Sequence, residues 1–123
     1  MSGNKFLLDT NTVLYLLGGK LNSNSLPEGK LFISVINELE LLSYPAIGKV
    51  EEIKIKKFID DIDVLDIDEA IKIETIRLRK KHNLKLPDAI ICATALSQNS
   101  RLITFDESLN KIKELKTLKL ELK

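Results

Sequence analysis

The chain holds one cysteine, one histidine, three prolines and five glycines in 123 residues, and its charge favours neither sign. A single thiol, Cys92, cannot form a disulfide within one chain, and its place in the apolar-rich run Ala89 to Leu96 reads as a buried residue in a reducing compartment. With only His82 there is no His pair for metal-free acid–base chemistry, and little to activate Cys92 as a nucleophile. Lys and Arg number 19 against 18 Asp and Glu, a net charge of +1, so bulk charge gives no argument for a polyanionic partner and any such contact needs a local patch. No stretch approaches the roughly 18 apolar residues of a membrane span, and Met1 to Leu8 lacks the apolar core of a secretion signal. A soluble, cytoplasmic protein without membrane contact is expected. Gly18-Gly19 follows a helix-like run and not a strand, which disfavours a Gly-rich phosphate loop and nucleotide-cofactor binding. Internal repeats, low-complexity tracts and linker-like composition shifts are also missing.

What is present is 44% hydrophobic residues in a length suited to one core, so residues 1–123 are expected to form a single domain. Lys5 to Leu8 reads as a strand ending at Asp9-Thr10-Asn11, followed by an apolar helix over Thr12 to Leu17. Asn22 to Gly29 reads as a loop, Leu31 to Ile33 as a strand, and Ser34 as the cap of a helix over Val35 to Ser43, which stops before Pro45. Lys49 to Asp61 is patterned as an amphipathic helix, Val64 to Ile67 as a strand, Asp68 to His82 as a helix with a basic end, and Leu86-Pro87-Asp88 as the opening of a helix to about Ser97. Arg101 to Phe105 reads as a strand, Ser108 to Leu115 as a short helix, and Thr117 to Leu122 as a last strand. Strands alternating with helices predict right-handed crossovers and a three-layer α/β/α fold with a central, mostly parallel sheet of about five strands.

In such sheets the functional crevice lies beyond the carboxyl ends of the strands. Asp9 and Asp106 each follow a strand, Glu40 lies two turns into the helix after the second strand, and Asp88 opens the helix before the fourth, so four carboxylates are placed to converge. Like charges a few ångströms apart raise one another's pKa unless a cation neutralises them. All-oxygen ligands favour Mg²⁺ or Mn²⁺ over zinc, and such ions serve phosphodiester hydrolysis. Each residue also has a plain structural use: Asp9 and Asp106 as helix caps, Asp88 in a first helical turn, Glu40 on a solvated helix face.

The segments Phe6-Leu7-Leu8-Asp9-Thr10-Asn11, Ile33-Ser34 through Glu40-Leu41-Leu42, Leu86-Pro87-Asp88-Ala89 through Leu96, and Leu102-Ile103-Thr104-Phe105-Asp106 together resemble the PIN domain family, specifically its short VapC-type toxins. The resemblance spans nearly the whole chain. It implies an Mg²⁺- or Mn²⁺-dependent endoribonuclease, the toxin of a toxin–antitoxin pair, leaving 5′-phosphate and 3′-hydroxyl ends. It further implies an RNA substrate, a homodimer and a cognate antitoxin covering the acidic crevice. By this resemblance Asp9, Glu40, Asp88 and Asp106 are the catalytic, metal-binding carboxylates, and Asn11, Ser34 and Thr104 position ligands or water. Glu38 and Glu40 lie about 200° apart around a helix, so only one of them can face the metal. The family's spacing of six residues from the strand-end Ser selects Glu40, whereas a shifted register selects Glu38.

Two other functions are compatible with parts of the pattern. One is a phosphorylatable receiver-like signalling domain with Asp66 as phosphoacceptor, although only a lone acid, Asp9, follows the first strand. The other is a catalytically idle PIN-type RNA-binding module. The basic run Arg77 to His82, with Lys85, is either a phosphate-binding patch or a solvated helix end. Apolar residues in Thr12 to Leu17 and Val50 to Ile59 are either contact surfaces or core.

Overall fold

The computed structural model describes residues 4–45 and 47–123. Five strands, β1 (Lys5–Leu8), β2 (Lys30–Ser34), β3 (Asp63–Leu65), β4 (Arg101–Ile103) and β5 (Thr117–Leu118), form one sheet in the order β3-β2-β1-β4-β5. Every pairing is parallel. Six helices connect or follow them: α1 (Thr10–Leu17), α2 (Val35–Leu42), α3 (Lys49–Asp61), α4 (Glu69–His82), α5 (Leu86–Ser97) and α6 (Glu107–Asn110). The expected loop before β2 contains a short 3₁₀ turn at Ser23–Ser25.

The period-2 alternation of β1 divides the core. Leu7 joins Phe32 and Leu102 on one sheet face, where Ile71 and Leu78 of α4 and Ile90 to Ala95 of α5 cover them. Phe6 and Leu8 point the other way, with Ile33 and Ile103, against Val13 of α1, Leu41 of α2 and Ile55 of α3. Helices therefore lie on both faces, the three-layer α/β/α arrangement that parallel strands require. Cys92 is buried within α5, as its surroundings predicted, and burial pushes its thiol pKa up to about 12, which leaves it no nucleophilic role.

Three boundaries differ from expectation at the C-terminal end. Strand β4 stops at Ile103 because the backbone turns there: the Thr104 hydroxyl accepts the Asp106 N–H at 3.0 Å. Helix α6 ends at Asn110 instead of Leu115, since Leu109, Ile112 and Leu115 are three apart, and Ile112 and Leu115 donate i→i−3 bonds to Leu109 and Ile112 in successive tight turns. Strand β5 has two residues, paired Leu102 to Thr117 and Ile103 to Leu118, because the short β4 offers no more partners. Strand β3 likewise begins and ends earlier than Val64 to Ile67.

The chain runs outward from β1 to β2 and β3, then returns to place β4 on the other side of β1. The connection reverses direction between β1 and β4, and this switch point is where a parallel sheet leaves a crevice. A receiver-type domain has the order 2-1-3-4-5, so the strand order removes that reading. Among the described residues no helix is long and apolar enough to cross a membrane.

Candidate active site

The crevice at the β1/β4 switch point is a cavity of about 370 Å³, and Asp9, Glu40, Asp88 and Asp106 all line it. Thr10, Asn11 and Tyr44 also contribute to its wall, and Glu38 does not. Four separate segments thus bring one carboxylate each to a common space.

The local structure that delivers these groups uses one oxygen of an acid and leaves the other. Asp9 is the N-cap of α1: its Oδ1 accepts the Thr12 N–H at 2.8 Å and lies 2.6 Å from the Thr12 hydroxyl. Asp106 is the N-cap of α6, and its Oδ1 accepts the Ser108 N–H at 2.9 Å and the Ser108 hydroxyl at 2.6 Å. Glu40 Oε1 accepts the Thr10 hydroxyl at 2.7 Å. Among the described residues, Oδ2 of Asp9, Oδ2 of Asp106, Oε2 of Glu40 and both oxygens of Asp88 take no hydrogen bond. The capping roles read from the sequence are therefore present, and they occupy half of each capping group.

The supporting residues form a chain behind this surface. The Ser34 N–H donates to Asn37 Oδ1 at 2.8 Å, Asn37 Nδ2 donates to the Thr10 hydroxyl at 3.1 Å, and that hydroxyl donates to Glu40. Ser34 itself is buried and caps α2 by accepting the Ile36 N–H, so it acts through Asn37 and does not reach the cavity. Thr104 is buried and holds Asp106 from behind, whereas Asn11 is exposed on the cavity wall. Sequence reasoning missed Thr10, Thr12, Asn37 and Ser108. The signal for Asn37 was available in the capping-box spacing Ser34-x-x-Asn37.

Electrostatics set this pocket apart. The Asp88 carboxyl is half-buried and its pKa is raised, first by desolvation and then by the charges of Asp106 and Glu40, with a smaller push from Asp9 and a partial offset from Lys85. Among the described residues none of the four acids is in an ion pair, so the pocket is suited to a cation from outside. The donor set, all oxygen, fits a hard divalent ion. Among the described residues no group of three or more His, Cys, Asp or Glu is arranged to hold a metal ion directly. The carboxylates line an open pocket, which suits an ion such as Mg²⁺ that retains several waters and takes few direct carboxylate bonds.

His82 departs from expectation. It does not decorate a solvated helix end: its Nε2 meets Glu114 Oε2 at 2.9 Å and its side chain is 24% exposed. Arg77 and Lys81 bind the same glutamate. Of the two apolar stretches, α1 contributes Val13 to the core, whereas α3 is divided, with Ile55 buried and Val50 and Ile53 exposed.

The PIN domain family matches residues 6–115, and the chain belongs to that family. Its fold is similar to several toxin–antitoxin structures. The structure of VapBC2 from Rickettsia felis bound to a promoter DNA fragment superposes with a TM-score of 0.81 at 20% identity, covering 94% of this chain and 98% of the other. A toxin–antitoxin complex from Klebsiella pneumoniae gives a TM-score of 0.73 at 26% identity over 89% and 93%. VapBC-1 from nontypeable Haemophilus influenzae gives 0.74 at 25% identity over 94% and 97%. No curated protein matches the sequence.

Proposed function

We propose that this chain is a VapC-type endoribonuclease dependent on Mg²⁺ or Mn²⁺, acting as the toxin of a toxin–antitoxin pair. The observation that carries the reading is the set of four carboxylates, one from each of four segments, lining a single pocket at the sheet's switch point. Membership of the PIN family and likeness to a toxin–antitoxin complex and to VapBC-1 support it.

Asp9, Glu40, Asp88 and Asp106 are the residues that would hold the ion, which when bound supplies positive charge to offset the carboxylates and the scissile phosphate. Thr12 and Ser108 restrain Asp9 and Asp106 through Oδ1 on the wall of the pocket and leave each Oδ2 without a hydrogen-bond partner. Thr10, restrained by Asn37, does the same for Glu40. Asn11, exposed on the wall, is placed to contact substrate or water.

An antitoxin and a second copy of the chain are the proposed partners, and the cytoplasm the proposed compartment. Leu39, Leu42 and Tyr44 at the α2 end and Val50 and Ile53 on α3 are exposed apolar groups of the kind that protein contacts cover.

The test is cleavage of a panel of structured RNAs with Mg²⁺ or Mn²⁺, with EDTA, and with Asp9→Asn checked for folding. Cleavage that requires metal and falls at least about 10²-fold in the variant is expected. Metal-independent cleavage would overturn the metal-dependent reading, and no cleavage across RNAs and metals would overturn the nuclease and favour the idle RNA-binding module.

A further inference from the structure

A second cavity of about 380 Å³ adjoins the acidic one, and Asp88 lines both. Beside Asp88 and the apolar Leu84 and Ile112, its wall carries two lysines, Lys85 and Lys111, with His82, Asn83 and Ser108. Two of the four segments that deliver acids to the first cavity, those of Asp88 and Asp106, also build the second. Asn83 ends α4 in a left-handed conformation at φ 53°, which turns the chain so that Lys85 becomes the N-cap of α5, three residues before Asp88. On the other side α6 runs from its cap Asp106 to Lys111 at its C-terminal end.

The donors of this cavity are sorted by their existing bonds. Ser108 gives its hydroxyl proton to Asp106, and since a carboxylate only accepts, His82 gives its Nε2 proton to Glu114. Among the described residues Lys85 and Lys111 are in no ion pair and the Asn83 amide makes no side-chain hydrogen bond. Being unpaired is common among the lysines of this chain; what sets Lys85 and Lys111 apart is that both line a cavity that shares Asp88 with the acidic one. Two unpaired ammonium groups and an amide donor beside an acidic pocket make a site for an anion that must also reach that pocket. A polynucleotide meets this requirement, because its phosphates repeat along one strand.

We propose that the Lys85/Lys111 cavity is a phosphate subsite, holding a phosphodiester of single-stranded RNA next to the one positioned among Asp9, Glu40, Asp88 and Asp106. The proposal rests on the nuclease reading of the neighbouring pocket for its second half only. Its role is to offset the repulsion that four carboxylates exert on an approaching polyanion, and to fix the strand's register relative to the acidic pocket.

The experiment is fluorescence anisotropy of a short labelled oligoribonucleotide of mixed sequence with the full chain in EDTA, as a function of salt. The variants are Lys85→Ala/Lys111→Ala and, as control, Lys113→Ala, which lies outside both cavities; melting curves verify folding. The double variant is expected to bind about tenfold more weakly and to show a salt slope shallower by about 0.7–1.4, the contribution of one or two single-strand phosphate contacts. Lys113→Ala should leave both unchanged. Equal affinity and slope in the double variant, an equal loss in the control, no RNA binding by the wild type, or competition by polyglutamate as effective as by polyuridylate would each overturn the subsite. Because the assay needs no turnover, the two readings separate. A chain that cleaves without depending on these lysines loses the subsite, and one that binds through them without ever cleaving loses the nuclease.

Discussion

Glu114 and the acids of the switch-point pocket are carboxylates in the same small molecule, treated in opposite ways. Glu114 receives Arg77 at 2.5 Å, His82 at 2.9 Å and Lys81 at 3.4 Å, and hydrogen bonds from Arg77 and then His82 hold its carboxyl down at about 2. Asp88 has three acids for neighbours and one lysine, and its carboxyl is pushed up. The chain contains enough cations to have paired both clusters, since Lys and Arg outnumber Asp and Glu. It pairs the one that joins α4 to the segment before β5 and leaves the other open. Acids satisfied from within serve the fold; acids left unsatisfied at a strand-end crevice store an electrostatic cost that a bound cation relieves.

The sharpest way to break this contrast is Asp88→Asn. Removing one of four like charges is expected to raise the melting temperature without metal, to abolish most of the Mg²⁺-dependent rise in melting, and to reduce RNA cleavage about 10²–10³-fold. A metal-free variant less stable than wild type would mean the pocket is not strained by its charges. Next in size is Thr10→Val, which strips Glu40 of its donor and leaves the buried Asn37 amide without an acceptor. Cleavage should drop about 10–100-fold and stability by about 1–3 kcal/mol, read by urea melts and initial rates.

Glu114→Gln probes the paired side of the comparison. A depressed carboxyl contributes stability that is present above its unfolded value of 4.5 and disappears as pH falls from there towards 2. Arg77 is 40% exposed, so solvent screening holds the contribution to about 1 kcal/mol. The variant should lose that much at pH 7 and unfold with a flatter acid dependence, while metal-dependent cleavage is retained; an unchanged acid limb would show the cluster to be ornamental. The smallest effect belongs to Glu38→Gln, expected to alter cleavage less than about twofold, since Glu38 is not on the cavity wall. A loss comparable with that of Glu40→Gln would reverse the choice between them.

Much of the architecture was legible in local pattern. The first strand, Lys5–Leu8, and the helices Lys49–Asp61 and Leu86–Ser97 lie where periodicity and the Leu86-Pro87-Asp88 start placed them. Apart from the shifted ends of β3, the errors fall between Thr104 and Leu122, where apolar residues three apart imitate a helix and an edge strand is limited by its neighbour's length. In the pocket, acids following strands could be read because topology alone brings strand ends together. Thr10 could not: its bonds to Asn37 and Glu40 join positions 27 and 30 residues apart, and no local signal distinguishes a threonine that holds a glutamate from one that faces solvent. His82 was misjudged for the same reason, its partner lying 32 residues downstream.

The half-used carboxylates of Asp9 and Asp106 have one more consequence. At both positions shape and charge reside on different oxygen atoms, and an asparagine retains the first while discarding the second, with a cap of equal quality. Under the proposed function, a single-atom exchange at each position is expected to give an inert double of the chain, folded, with the same outer surface for any partner and unable to hold the ion. A screen that monitors only folding would pass such a double, which makes it a ready decoy for isolating partners of the proposed toxin.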